Sequence, residues 1–320
     1  MIEVRTTDYH TAGEPFRIAL EGVPAIPGAT VAARRENAAA SEEVERIRRM
    51  LCHEPRGHAD MYGAFLVPPD DDGADLGVLF WHKDGYSTAC GHGTIALGAW
   101  AVESGLVTAP DDGDVEVTID VPSGRVVAVV RCQAGAVDSV AFRNVPAYVV
   151  ARGVAAGGIE VDVAYGGAIY AFAPAERLGL RVVPEDLPEL IAAGRRVKQG
   201  LEGSDVARHP GDDRLSGIYG TVFYEELGPL HQRNVAIFAD GEVDRSPTGS
   251  ATSARTALLS LGEGRTWRND SIVGTTFLAR EIGRTPEGVL TEVQGTAFRT
   301  GAHRFFLDPR DPLGTGFVLR

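Results

Sequence analysis

Hydrophobic and polar positions alternate in short runs along much of the chain. VEVTIDV from Val115, RVVAVVRC from Arg125, VAFRNV from Val140 and GTVFY from Gly220 are rich in β-branched and aromatic residues and sit between Gly and Pro punctuation. They predict many strands of modest length. Helical periodicity is scarcer. In SEEVERIRRML, starting at Ser41, the apolar residues Val44, Ile47, Met50 and Leu51 recur at helical spacing, Glu and Arg fill the other faces, and Ser41 can cap. Two further stretches, GTIALGAWAVESGL from Gly93 and ATSARTALLSLG from Ala251, are rich in small residues and nearly uncharged on every face, which predicts helices buried inside their domains.

These two apolar helices begin alike. Aligning Cys90 with Thr248 also aligns Gly91 with Gly249, Thr94 with Thr252, Ala96 with Ala254 and Ala99 with Ala257; the offset is 248 minus 90, or 158, about half of the 320 residues. IEV from Ile2 recurs at Ile159, an offset of 157, and in both places a Gly-containing stretch with aromatics follows. Nearly equal offsets at separate places predict a duplicated fold.

Composition narrows the partners. The chain is 44% hydrophobic and 23% charged, enough to bury a sizeable core, and its length favours two domains over one. A formal net charge of -13 argues against nucleic acid and anionic membranes, which both require clustered Lys and Arg, and leaves a small molecule as the expected partner. No apolar run approaches the roughly 20 residues of a membrane span, and MIEVRTTDYHTAGEP lacks a basic start followed by an apolar region. A cytoplasmic protein is expected. The three cysteines, Cys52, Cys90 and Cys132, cannot form a closed disulfide set, so at least one thiol is free. The acidic stretches PPDDDGAD from Pro68 and TAPDDGD from Thr108 lack the full spacing of a calcium loop and read as solvated loops. No P-loop, GxGxxG or GxSxG motif occurs, which favours chemistry without a cofactor.

The candidate chemistry lies where the two apolar helices start. A helix N-terminus leaves backbone N–H groups without helical partners and carries a positive partial charge, and glycine there lets a ligand approach the backbone. CGHG from Cys90 and TGSA from Thr248 can therefore hold one carboxylate between them. The same field favours the thiolate of Cys90, making it a candidate base or nucleophile. His92 is expected to offer its backbone N–H to the anion and its ring to local packing. Cys90 and His92 have no CxxC or HExxH partner, so no metal site is expected. Asp244, four residues before Thr248, can hold a substrate ammonium or imino group, or can simply shape its turn. Tyr62, Phe65, Tyr219 and Phe223 are candidate pocket walls.

With these residues in place, the chain resembles the proline racemase family. The likeness rests on HTAGEP from His10, PRGHADMYG from Pro55, CGHGTIA from Cys90, NVPAYV from Asn144, DVAYGGAIYA from Asp162, DRSPTGSATSAR from Asp244 and SIVGTTF from Ser271, in order along nearly the whole chain. The resemblance implies an α/β (α+β) fold of two pseudo-symmetric domains, each a curved sheet around a buried central helix, with the active site in the cleft between them. Residues 1–120, completed by 300–320, form the first domain in this reading, and 121–299 the second. It also implies that Gly91, His92, Gly249 and Ser250 hold the substrate carboxylate, that Asp244 meets the ring nitrogen, and that a homodimer is the expected assembly.

Racemases and epimerases of this family use two opposed thiols. Here the first is Cys90, but the second position holds Thr248. A Thr hydroxyl is a far weaker acid than a thiol, so racemisation is disfavoured, and the Cys and Thr pairing resembles trans-3-hydroxy-L-proline dehydratases. That reaction needs one base at Cα, Cys90, and help for a departing hydroxyl. Thr248 can hydrogen-bond the leaving oxygen or relay a proton to it, and the sequence leaves both roles open. The alternatives are a proline racemase or 4-hydroxyproline 2-epimerase, and a non-catalytic binder of imino acids.

Overall fold

The computed structural model describes residues 1–319. Its first half runs through β1 (Ile2–Thr11), β2 (Glu14–Glu21), α1 (Val31–Ala40), α2 (Glu42–Cys52), β3 (Gly63–Val67), β4 (Leu76–His82) and β5 (Gly85–Tyr86). Then come α3 (Gly91–Glu103), β6 (Gly113–Val121), β7 (Gly124–Gln133) and β8 (Ala136–Arg143). The second half runs through β9 (Tyr148–Ala156), β10 (Ile159–Tyr165), β11 (Ile169–Pro174), α4 (Leu187–Leu201), β12 (Ile218–Gly228), β13 (His231–Phe238) and β14 (Glu242–Asp244). It continues with α5 (Gly249–Leu259), β15 (Thr266–Ser271), β16 (Thr276–Thr285) and β17 (Gly288–Gly295), after which β18 (Ala297–Leu307) returns to the first half.

Strand pairing repeats element by element. In the first half β1 pairs antiparallel with β2, β2 parallel with β3, β3 antiparallel with β4, and β4 parallel with β6, which continues antiparallel into β7 and β8. In the second half β10, β11, β12, β13, β15, β16 and β17 follow with the same sequence of directions. The halves join where β8 pairs antiparallel with β17. β18 lies against β1 as β9 lies against β10. The fold is thus mixed α and β, one long curved sheet with few helices, and the duplication expected from the 158-residue offset is visible in it.

Packing on the two central helices shows which strands belong together. α3 packs on β1, β2, β6, β7, β8 and β18 and touches β17, and α5 packs on β9, β10, β16 and β17. The expected border at 120/121 falls at the end of β6, which pairs along its length with β7; both strands cover α3. Ile95, Ala96, Leu97 and Ala99 of α3 have no exposed surface. Removing an Ile or Leu side chain from water contributes about 1.5–3 kcal/mol, so a helix that is apolar all round is stable only inside such a sleeve. α2 has the polar outer face its periodicity requires, and Ser41 caps it by accepting the Val44 N–H. The two acidic stretches serve the fold: in the first, Asp70 accepts the Val31 N–H at the start of α1 and Asp71 pairs with Arg125, and in the second Asp112 accepts the Ala134 N–H. Among the described residues no helix is long and apolar enough to cross a membrane.

Candidate active site

The two central helices meet end to end. A Cβ placed on Gly91 would stand 2.5 Å from the Gly249 Cα, and one on Gly249 would stand 2.7 Å from the Gly91 Cα. Only glycine at both positions allows this approach, which brings two positive helix ends to one place. The residues before these glycines, Cys90 and Thr248, are the N-caps of α3 and α5. Around them lies a tight cavity of about 10 Å³, lined by Cys90, Gly91, His92, Asp244, Thr248 and Ser250 and by Tyr62, Tyr170, Tyr219 and Phe238 among others. Gly249 stands behind this lining, against Gly91. A cleft of about 480 Å³ opens next to the cavity and shares Tyr219 with it, but contains none of Cys90, His92, Asp244 and Thr248.

The two entrances differ in a way that sequence alignment hides. Cys90 has ordinary N-cap dihedrals, and its Sγ accepts the Gly93 N–H at 3.2 Å. Thr248 has φ 59° and ψ 96°, and its side chain caps nothing. A β-branched residue at positive φ is strained by about 1–3 kcal/mol. Surrounding bonds hold it there: the Pro247 carbonyl accepts from Asn234, Thr252 and Asn269, and Ser246 Oγ accepts the Thr248 N–H. Thr248 Oγ1 is buried and makes no well-formed hydrogen bond, although it stands near enough to Asp244 to favour that carboxylate.

His92 differs from expectation. Its ring does not merely pack; it lies between a thiol and a carboxylate, with Nε2 3.5 Å from Cys90 Sγ and Nδ1 3.4 Å from Asp244 Oδ2. Burial opposes the imidazolium, but Cys90 and Asp244 outweigh it and hold His92 well above the usual histidine range. Burial likewise works against the Asp244 carboxylate, yet His92, Ser246 and Thr248 together keep it below its ordinary value. Asp244→Asn leaves a buried imidazolium without its anion. The expected results are a stability loss of about 3 kcal/mol in denaturant titrations and, because His92 then loses its proton more readily, an alkaline limb of kcat/KM displaced to lower pH.

The quoted motifs surround this centre. HTAGEP is the β1–β2 hairpin: Thr11 Oγ1 donates to the His92 carbonyl, and Glu14 Oε2 accepts the Arg245 N–H at 2.7 Å. Burial, then the charge of Asp244, pushes the Glu14 carboxyl well above its normal range. From SIVGTTF, Thr275 Oγ1 donates to the Ala12 carbonyl at the hairpin tip. Asp60 of PRGHADMYG accepts the Val243 N–H and the Arg245 guanidinium. In DVAYGGAIYA, the Gly166 carbonyl accepts from Asn144 and the Gly167 carbonyl from Thr88.

Of the four expected walls, Tyr62 and Tyr219 line the cavity, their hydroxyls 3.0 Å apart, and Tyr62 also bonds Ser87. Phe65 and Phe223 do not; they are fully buried in separate cores, Phe65 beside Trp81 and Tyr86. Tyr170, whose hydroxyl lies 2.7 Å from Ser250 Oγ, and Phe238 were not singled out from sequence. Tyr170 follows the Gly166–Gly167 pair closely, which is the signal that could have found it.

Among the described residues one group, His82, Asp84 and Glu242, brings three potential metal-ligand atoms within 4.8 Å of one another. Its donors already serve each other and their neighbours: His82 Nδ1 lies 3.0 Å from Glu242 Oε1, and Asp84 Oδ2 accepts from Lys83 and from the Asp240 N–H. His82 in turn packs edge-on against Tyr219 and Phe238, so the group braces the cavity wall.

A doubled sheet with two glycine-opposed helix ends, a thiol at one and a buried His–Asp pair beside it, makes up the candidate active site. The chain belongs to the proline racemase family, whose model matches residues 6–318. It is 40% identical to the trans-3-hydroxy-L-proline dehydratases of Colwellia psychrerythraea, over 100% of this chain and 93% of that one, and of Homo sapiens, over 98% and 94%. Among solved structures it is similar to a hydroxyproline epimerase from Agrobacterium vitis with bound trans-4-hydroxy-L-proline, with a TM-score of 0.90 and 30% identity over 99% of this chain and 96% of that one. A probable proline racemase from Agrobacterium radiobacter with bound carbonate gives a TM-score of 0.93 and 28% identity, with the same coverage of 99% and 96%.

Proposed function

We propose that the protein dehydrates trans-3-hydroxy-L-proline to pyrroline-2-carboxylate, with Cys90 as the base. One observation carries this reading: the paired helix entrances keep their glycines, but only one has a thiol. Relatives at 40% identity over nearly the whole chain have the same activity in their names.

In this mechanism the first-turn N–H groups of Gly91, His92, Gly249 and Ser250 hold the substrate carboxylate and stabilise the charge that grows on it as the Cα proton leaves. Asp244, kept ionised, orients the protonated ring nitrogen. The Cys90 sulfur, 3.5 Å from the His92 ring, removes the Cα proton as general base. Loss of the 3-hydroxyl as water leaves an enamine that tautomerises to the imine. No cofactor is needed for any of these steps. The lobes in this reading are 1–143 with 297–307, and 148–295, with the substrate between them. The same reading carries the cytoplasm as compartment and a homodimer as assembly.

A product assay across proline and hydroxyproline isomers tests it. Pyrroline-2-carboxylate is expected from trans-3-hydroxy-L-proline alone. Inversion of proline or 4-hydroxyproline without loss of water would establish an epimerase instead, and neither elimination nor deuterium exchange at Cα of any isomer would leave only a binder.

A further inference from the structure

We infer that the 3-hydroxyl departs from the same ring face as the Cα proton, that Cys90 both takes the proton and returns it to the departing oxygen, and that Thr248 is a binding group on the opposite face. This rests on the dehydratase reading above.

Stereochemistry supplies the first step. In trans-3-hydroxy-L-proline the carboxylate and the hydroxyl lie on opposite faces of the five-membered ring. The Cα hydrogen is opposite the carboxylate, so it shares the hydroxyl's face.

The fold supplies the second step. The helix ends are related by the duplication, and their corresponding residues Gly91 and Gly249 touch at its axis. Cys90 and Thr248, each one residue before its glycine, fall on opposite sides of that axis and both line the cavity. A flat ring whose carboxylate is held at the axis presents one face to each. Whichever group takes the Cα proton is therefore next to the leaving oxygen, and the other is across the ring from it.

Acidity supplies the third. Once protonated, Cys90 is a thiol, by nature a much stronger acid than a hydroxyl. Tyr62, Tyr170 and Tyr219 are all pushed up by burial and give up protons reluctantly. The cycle balances on Cys90. The Cα–H bond breaks to the thiolate, its electron pair forms the double bond to C3, and the C3–O bond breaks. The oxygen leaves with its pair, takes the proton from the thiol and departs as water, which restores the thiolate beside His92.

Thr248 has a different task. Its hydroxyl is buried, makes no well-formed hydrogen bond and is not engaged as a helix cap, so a bound imino acid can complete its hydrogen bonding. Losing one such bond costs about 1–3 kcal/mol, or roughly 5- to 150-fold in affinity.

Two measurements test this. The wild-type protein is given trans-3-hydroxy-L-proline and the cis-3 isomer in deuterated water. The trans isomer is expected to lose water, and the cis isomer to exchange its Cα hydrogen while keeping its hydroxyl. In parallel, Thr248→Val, which keeps the side-chain shape, is expected to raise KM for the trans isomer at least fivefold and to lower kcat less than tenfold. Elimination from the cis isomer at a rate comparable to the trans isomer would overturn the inference. So would a fall of 100-fold or more in kcat for a Thr248→Val protein that melts within a few degrees of wild type. Absence of elimination from the trans isomer in the wild type is a separate result that sinks the dehydratase reading itself.

Discussion

Cys90→Ala is expected to reduce kcat/KM for dehydration by at least about 10³-fold while the protein still folds. General-base catalysis contributes roughly 10²- to 10⁴-fold, and Cys90 is asked for more than one proton transfer. No neighbour can replace it: the cavity's other ionisable groups are an imidazolium, an aspartate held by that imidazolium, and tyrosines that burial keeps neutral. The structural cost is small because the Sγ contacts are few, the Gly93 N–H and the His92 ring. Steady-state kinetics on trans-3-hydroxy-L-proline, with a melting curve of the same sample, provide the check. A folded variant that keeps more than a tenth of wild-type activity would exclude Cys90 as the base.

Gly91→Ala is expected to destabilise the protein by about 3 kcal/mol or more and to lower kcat/KM at least 100-fold. At a typical helical position the same change is stabilising, by roughly 0.5–1 kcal/mol. The sign reverses here because the new methyl meets backbone, the Gly249 Cα at 2.5 Å, and backbone cannot rotate away as a side chain can. The helices must part, and a displacement of about 1 Å at a catalytic centre costs on the order of 10²-fold. Urea titration and kinetics report the two effects separately. An alanine variant as stable and active as wild type would show that the helix ends do not need their contact.

The periodicity exposed β6, β7, α2, α3 and α5 because their side chains face one environment consistently. It did not expose α1, whose run of alanines and charges carries weak periodicity, or α4, which starts after a proline-rich stretch. The Cys90 and Thr248 alignment located both helix entrances, since glycine next to a capping residue is a local signal. Its limits were also local. The ring of His92 acquires its role from Asp244, 152 residues away (244 minus 92), and the positive φ of Thr248 is imposed by Asn234 and Asn269 from other strands. Likewise, an aromatic residue on a strand reads the same whether it ends at the cavity, as Tyr62 does, or in a core, as Phe65 does.

The return of β18 to β1 has a consequence for how the chain is made. β1 pairs with β18 from Ile2 against Leu307 to Thr11 against Ala297, about 300 residues apart, whereas the strands of the second half are contiguous. On a ribosome, the half synthesised first therefore waits longest for its final strand, and β1 offers an open edge until the last of the eighteen strands emerges. The half synthesised second can close its own sheet earlier. Order of synthesis and order of completion are reversed in this molecule.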